Sequence, residues 1–398
     1  MERVILLVDM NAFFISCETT RRPELAGRPA AVAGDPKNRS GIILTANYEA
    51  RKFGVKTTMV LHQAEKLCPN LQLVPPDHAF YEEKSREVMG VLSRYTPIIE
   101  QNSIDEAWLD ISGCEALFGD PVELSTKIMN ELKDKLGLPC SIGISENKFL
   151  AKMAAEMKKP MGITWLKKED LPGKLWILPA GAMYGVGKHS EEKLKRLGIF
   201  TIGQLAASSP ELLMKELGKW GSDIQKLANG IDSSTVAPRS VDDIKSIGRS
   251  TTLDHDISDM ENAKRILYAL ADEVGSTARK HKKKGRTVQI TIKYSTFQTI
   301  TRQKKLTHTF LTKKIYEAGL ELLKENWSPK KPVRLMGISI SDFDMEAEQG
   351  QLSLFDNIKD TDNSKEEKLE LAIDEIRNKH GISMVKPAVL LRKIDGES

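Results

Sequence analysis

Residues 103–112 read Ser-Ile-Asp-Glu-Ala-Trp-Leu-Asp-Ile-Ser, two adjacent acids, Asp105 and Glu106, set among the apolar residues Ile104, Trp108 and Ile111. The pattern over 98–111 predicts two strands joined by a tight turn near Ser103. Adjacent side chains on a regular strand point to opposite faces, so Asp105 and Glu106 can share a site only at a bend or hairpin tip, and the sequence predicts one there. A third acid has a related setting. Residues 2–9 read as a buried strand, and Asp9 stands at its exit. Phosphoryl transfer with two metal ions uses carboxylates that bridge hard cations roughly 3.5–4 Å apart. Mg²⁺ takes a few carboxylates and leaves its other positions to water and substrate phosphates. Three acids at the ends of neighbouring strands meet that need. On spacing alone a plainer reading stands level with it, in which Asp105 and Glu106 are turn residues and Asp9 is a helix cap. Asp110 reads as a surface or capping acid.

Outward from these acids, mixed elements run to about residue 165. Helical spacing covers 10–20, a helix opens at Asn47 and runs to 53, another runs from 62 to 68, and a long amphipathic one covers 80–95. Strands are expected over 29–34, 41–45 and 140–144, and helices over 121–136 and 148–157. Residues 166–238 carry only helical patterns broken by Gly and Pro, which predicts a small all-helical domain. A polar linker, 240–246, follows Pro238. From 247 strands return. Val288, Ile290, Ile292 and Tyr294 lie on one face of a period-2 strand, with Thr287, Gln289, Thr291 and Lys293 on the other. Helices over 259–282 and 312–326 and a strand over 333–343 complete an α+β module. A further helix, with no evident task, is expected over 365–379. The fold class is therefore multidomain α+β.

The 398 residues exceed what one core organises, so several domains are expected. No stretch approaches the roughly 20 apolar residues of a membrane helix. The apolar run 4–8 is too short for a signal peptide, and a cytoplasmic location is the default expectation. Cys17, Cys68, Cys114 and Cys140 are scattered without a CxxC pair and read as reduced thiols. Net charge is only +4, but ten Lys or Arg and no acid fall between 278 and 306. A basic segment of that kind suits a polyanionic partner.

Five segments, VDMNAFFISCE (8–18), TANYEARKFGV (45–55), SIDEAWLDIS (103–112), SIGISENKFLAKMAAEMKKPMGI (141–163) and MYGVGKHSEEKLKRLGI (183–199), together resemble the Y-family DNA polymerases. The likeness covers residues 1 to about 345, plus QLSLF at 351–355. It implies a palm (1–19 and 76–165), fingers (20–75), a helical thumb with a helix-hairpin-helix (166–239), the linker 240–246, a DNA-binding little finger (247–345) and a tail (346–398). It implies low-fidelity, template-directed DNA synthesis in translesion replication. Asp9, Asp105 and Glu106 match the metal-binding carboxylates of the family, with the Met10 carbonyl as a further ligand. Two Mg²⁺ ions are implied, with Mn²⁺ as a substitute. Tyr48 and Arg51 match triphosphate contacts, and their i,i+3 spacing puts both on one face of the helix opening at Asn47. Thr45 joins them. Lys159 matches a positive charge set against the leaving pyrophosphate, although read alone it is a solvated lysine at a helix end. Phe14 matches the sugar gate that leaves no room for a 2′-hydroxyl. The resemblance also places Phe13 beside it at the nucleotide site, and of the pair Phe13 reads as the core member. Ile42 and Leu44 stand where the roof over the nascent base pair has very small side chains in some relatives. Asn11 stands where many relatives carry an acid, and is not counted as a ligand.

Gly185, Gly187 and Lys188 form a hairpin whose backbone N–H groups can approach a DNA phosphate. Lys293, Arg302 and Lys304, with Lys305, are read as a groove-tracking surface beside the polar side of the 287–294 strand. Gln351, Leu352, Leu354 and Phe355 resemble the peptide that docks on a sliding clamp. The implied partners are primer-template DNA, deoxynucleoside triphosphates and the clamp, with no membrane, and the chain is expected to act as a monomer. Two other readings stand beside this one: a non-catalytic relative that only binds DNA and clamp, and a nucleotide cyclase with a similar acid-bearing sheet.

Overall fold

The computed structural model describes residues 3–35, 41–238, 240, 243–343, 360–381 and 384–387. They form two compact units that part at Ser240. The clamp-like peptide 351–355 lies outside the described residues. No helix among them is long and apolar enough to cross a membrane.

The first unit is organised by β1 (Ile5–Met10), all six of whose residues are buried. In chain order α1 (Phe13–Arg21), β2 (Ala30–Ala33), β3 (Ile43–Ala46), α2 (Tyr48–Lys52), α3 (Leu61–Leu67), β4 (Gln72–Val74) and α4 (His78–Leu92) follow. Then come β5 (Ile99–Gln101), β6 (Glu106–Asp110), α5 (Glu115–Phe118), α6 (Pro121–Leu136), β7 (Cys140–Ser145), α7 (Lys148–Met157) and β8 (Ile163–Trp165). The main sheet has the order β5-β6-β1-β7-β8, so β1 is central, and it runs antiparallel to both neighbours. A strand covered on both faces reads as a continuous apolar run, which is why Ile5 to Val8 shows no alternation. Leu6, Val8 and Met10 face a core with residues of α4 and α6. Ile5 and Leu7 face the other way, with Trp108, Ala151 and Ala155.

That second face carries α7, and the helix sits unusually close to the sheet. A Cβ placed on Gly143 of β7 would lie 2.0 Å from the Ala151 carbonyl oxygen and 2.4 Å from the Ala155 nitrogen. Only glycine under a small-residue helix face permits this approach. A smaller sheet, β3-β2-β4, has a core of its own that includes Ala31, Ile43, Ala46 and Leu61. Its helix α2 starts where Asn47 accepts from the Ala50 N–H and thereby caps it. The three-residue strands β4 and β8 are absent from the sequence reading, because a run that short has no measurable period. The helical part holds α8 (Lys188–Arg196), α9 (Ile202–Ala207), α10 (Pro210–Leu217) and α11 (Lys219–Ala228) around Leu194, Ile202, Leu213 and Ile224.

The second unit comprises β9 (Ser246–Ile257), α12 (Met260–Lys280), β10 (Gly285–Tyr294), β11 (Thr299–Thr309), α13 (Thr312–Asn326), β12 (Val333–Phe343) and α14 (Asp360–His380). Its sheet has the order β11-β10-β12-β9. The expected alternation on β10 holds: Val288, Ile290 and Ile292 are buried under α12 and α13, whereas Gln289, Thr291 and Lys293 are half-buried on the opposite face. The grouping of Arg302 and Lys304 with Lys293 is corrected. Arg302 lies directly across from Ile290, and Lys304 from Val288. Directly opposed residues share a face, so both bases lie on the helix side. There Arg302 donates to Asn326 and Lys304 pairs with Glu321. Lys305, across from Thr287, belongs to the open face with Lys293. A count of basic residues cannot separate the two faces; register does.

The tail helix α14, without a task in the sequence, completes this unit. Arg279 of α12 is buried and pairs with Glu370 and Asp374 of α14. Glu370 also accepts from the Thr312 N–H at the start of α13. A buried guanidinium needs such partners.

Gly143→Ala is expected to lower stability by roughly 1–3 kcal/mol through overpacking under α7. Thermal unfolding checks this; an unchanged midpoint would mean that the helix is not locked to the strand.

Candidate active site

Three elements meet at one end of the main sheet. β1 delivers Asp9, the β5–β6 hairpin delivers Asp105 and Glu106, and α7 with its following loop delivers Lys152, Glu156 and Lys159. Asp9 is paired in register with Glu106. Both carboxylates follow the Leu7 and Trp108 side of the sheet, two residues from each, so both face α7. The hairpin is tight, since the Asn102 and Ser103 N–H groups both donate to the Glu106 carbonyl, at 3.0 and 3.3 Å. Its tip is tied to β1 by the Met10 N–H, which donates to the Asp105 carbonyl at 2.9 Å. The expected bend is therefore present. Asp110 serves its local turn, accepting from the Ser112 N–H and hydroxyl. Asp9 is not a helix cap, for α1 starts at Phe13 with Ala12 as its cap.

A cavity of about 460 Å³ opens over these groups. It is lined by Asp9, Met10, Asp105 and Glu106, by Phe13 and Phe14, by Leu44, Thr45, Tyr48 and Arg51, and by Lys152 and Lys159. Every carboxylate and nucleotide contact expected from the sequence is in that wall. Of the expected roof, Leu44 lines it, whereas Ile42 bridges to Val60 and is 38% exposed. Arg51 lies over the Tyr48 ring, 4.8 Å from its centroid, and its Nε donates to the Ala46 carbonyl. Phe13 is buried in the core and Phe14 is the more open of the two. The Phe14 ring stacks on Tyr81 at 4.4 Å, and the Tyr81 hydroxyl donates to the buried Glu18.

The charges are closely bracketed. Lys152 Nζ lies 3.0 Å from Asp9 Oδ2, 2.5 Å from Glu106 Oε2 and 3.1 Å from Glu156 Oε1. Lys159 Nζ lies 2.8 Å from Asp9 Oδ1 and 2.8 Å from Glu156. Glu106 also accepts from the Asn102 amide, and Asp105 accepts from the Ser103 hydroxyl. Burial works to raise the Asp9 pKa, but Lys152 and Lys159 together outweigh it and hold the carboxyl below its ordinary value. Burial likewise works to lower both lysines, and the charge of Asp9 leads the interactions that hold them above the usual range. Lys152 and Glu156 are absent from the sequence reading. The available signal was a lysine within the apolar run of α7, since a lysine is rarely buried unless paired.

The helical part contributes the expected glycine hairpin. Gly185 has φ +90, a conformation that favours glycine, and Gly187 caps α8 with ordinary backbone and open space around it. Lys188 is the first residue of that helix and is exposed.

Residues 8–156 match the model of the impB/mucB/samB family, and 244–354 match that of its C-terminal domain. The chain is 61% identical to DNA polymerase IV of Clostridium kluyveri over 99% of each chain. It is 54% identical to DNA polymerase IV of Alkaliphilus oremlandii, over 99% of this chain and 100% of the other. Among solved structures, a chimera titled Y-family DNA polymerase Dbh-Dpo4(243-245)-Dbh superposes with a TM-score of 0.76 at 27% identity, covering 85% of this chain and 99% of that one.

The chain belongs to the Y family of DNA polymerases. It is a DNA-directed DNA polymerase of the translesion type, related to the bacterial DNA polymerase IV proteins. Polymerases of this family use divalent metal ions, and the donor set at the Asp9–Glu106 wall fits them. The donors are carboxylate oxygens, the kind that hard cations prefer. Asp9 and Glu106 already gather one cation, the Lys152 ammonium, between them. Among the described residues no three carboxylate, His or Cys side chains are drawn together tightly enough to hold a metal unaided. Asp105 is turned to Ser103, and Mg²⁺ in any case takes only one or two carboxylates where substrate phosphates complete its shell.

The Asp9 carboxyl lies below its ordinary pKa of 3.8 in the folded chain. Its contribution to stability is therefore present above that value and lost as pH falls from there through the lower pKa of the folded state. In EDTA, the stability difference between wild type and Asp9→Asn should be widest near neutrality and shrink below about pH 4. Thermal unfolding across pH reads it; a pH-independent difference would mean that Asp9 gains nothing from its lysines.

Proposed function

We propose that this polymerase extends a primer 3′ end with deoxynucleotides using two Mg²⁺ ions, for which Mn²⁺ can substitute, held by Asp9, Asp105, Glu106 and the Met10 carbonyl. The observation that carries the reading is the pairing of Asp9 with Glu106 across two strands, both turned to one cation in the wall of a cavity that also bears Tyr48 and Arg51. Such ions, when bound, lower the pKa of an attacking hydroxyl and neutralise phosphate charge. The chain's own residues do the rest. Tyr48, Arg51 and Thr45 hold the triphosphate against the wall of α2. Lys159 meets the charge that develops on the leaving pyrophosphate, the kind of stabilisation on which phosphoryl transfer depends. Phe14, backed by Tyr81, excludes a 2′-hydroxyl by steric overlap. Leu44 roofs the base pair from the cavity wall, and Ile42, outside that wall, can meet it only from its exposed side.

DNA phosphates are held by backbone N–H groups around Gly185 and Gly187, by Lys188, and by the open sheet face of the second unit through Lys293 and Lys305. Arg302 and Lys304, on the helix side, can take part only from the edge of that sheet. Contacts of this sort are sequence-independent and salt-sensitive. The peptide Gln351, Leu352, Leu354 and Phe355 docks on a sliding clamp, and the protein acts as a monomer in the bacterial cytoplasm. We assign 1–19 with 76–165 to the palm, 20–75 to the fingers, 166–239 to the thumb and 247–345 to the little finger. The non-catalytic alternative is disfavoured because the acids and the phosphate-binding residues are all retained.

Primer extension with Mg²⁺ tests the assignment. Glu106→Gln should lower the rate by at least about a hundred-fold with primer-template binding retained, and a variant that extends primers normally refutes the metal site. Phe14→Ala should raise ribonucleotide incorporation and still use deoxynucleotides; unchanged sugar selectivity removes Phe14 from its role.

A further inference from the structure

We propose that Lys152 is an internal counter-cation of the metal site, one that Asp9 and Glu106 must release before a divalent ion binds between them. The proposal rests on the reading of these two carboxylates as metal ligands.

Asp9 and Glu106 are each 8% exposed and face each other across adjacent strands. Two ionised carboxylates so placed repel and lose hydration, a cost that a cation lying between them offsets. The ammonium of Lys152 supplies that charge from a side chain itself only 11% exposed. An ammonium has three donors, and here each has a carboxylate: Asp9 Oδ2, Glu106 Oε2 and Glu156 Oε1. The remaining oxygens of the pair are also engaged, Asp9 Oδ1 by Lys159 and Glu106 Oε1 by Asn102. The point shared by Asp9 Oδ2 and Glu106 Oε2 is where one cation can serve both strands, and Lys152 holds it.

A divalent ion therefore competes with a tethered monovalent one for the same two oxygens. Glu156 makes the exchange feasible. It lies one helical turn beyond Lys152, its side chain is 49% exposed, and it already holds the third donor. The released ammonium keeps that partner rather than facing the cavity unpaired. The competition keeps the site weak towards metal alone, and the negative charge of an incoming triphosphate tips it.

The test is Mn²⁺ binding to the full chain without DNA or nucleotide, followed by electron paramagnetic resonance of free Mn²⁺ and by thermal unfolding. Lys152→Met should bind Mn²⁺ at least about ten-fold more tightly than wild type, because the competing charge is gone. Its unfolding midpoint should be lower in EDTA and should rise more on adding Mn²⁺. Lys152→Arg keeps the charge and should retain the weak binding of the wild type. Lys152→Gln gives a second neutral variant if the methionine chain does not fold. Mn²⁺ affinity unchanged or weakened in the neutral variants, or a midpoint lowered equally with and without Mn²⁺, overturns the role of Lys152. Mn²⁺ binding that survives Asp9→Asn with Glu106→Gln would instead overturn the metal assignment on which it rests.

Discussion

Two buried carboxylates held opposite each other on neighbouring strands are the constraint around which the first unit is arranged. Antiparallel pairing of β1 with β6 fixes Asp9 against Glu106, and the alternation of the strands turns both towards α7. Like charges at that separation in a desolvated wall are tolerable only with cations close by. The chain supplies two, Lys152 and Lys159, from one helix and the loop after it. The close seat of α7, permitted by Gly143 and the small residues Ala151 and Ala155, brings those lysines into reach.

The same arrangement supports the proposal that the cavity serves phosphoryl transfer. Acids line its floor, and Tyr48, Arg51 and Thr45 approach from the smaller sheet and its helix. Negative and positive groups thus face one space from different elements, as a triphosphate with divalent ions requires. Aromatic packing sets the remaining wall: the Phe14 ring is backed by Tyr81, whose hydroxyl is fixed by Glu18, and Glu18 is neutralised by Arg21. That stack is what holds the Phe14 ring in the cavity wall.

The second unit repeats the logic of faces with a different outcome. Its sheet buries one side under α12 and α13 and leaves a polar side open, and β11 distributes its bases between the two. Charge on the helix side is used internally, by Glu321 for Lys304 and by α14 for Arg279. The tail helix is thereby part of the fold of this unit rather than an appendage to it.

Local pattern was enough for the elements whose period or boundary residues are strong. The apolar run of β1, the helices 121–136 and 148–157 and the strand 333–343 stand where spacing put them. The ordered motifs also singled out acids and expected nucleotide contacts that the fold gathers in one cavity wall, because these keep fixed positions relative to strand ends and helix starts. Tertiary structure alone decided the rest. Strand register placed Arg302 and Lys304 on the covered face, which no count of charges reveals. Pairing made strands of 72–74 and 163–165, runs too short to show a period. Packing of α7 on the sheet brought Lys152 to acids more than forty residues distant in the chain. Local sequence encodes which face a residue takes on its own element; which other element meets that face depends on how the whole chain packs.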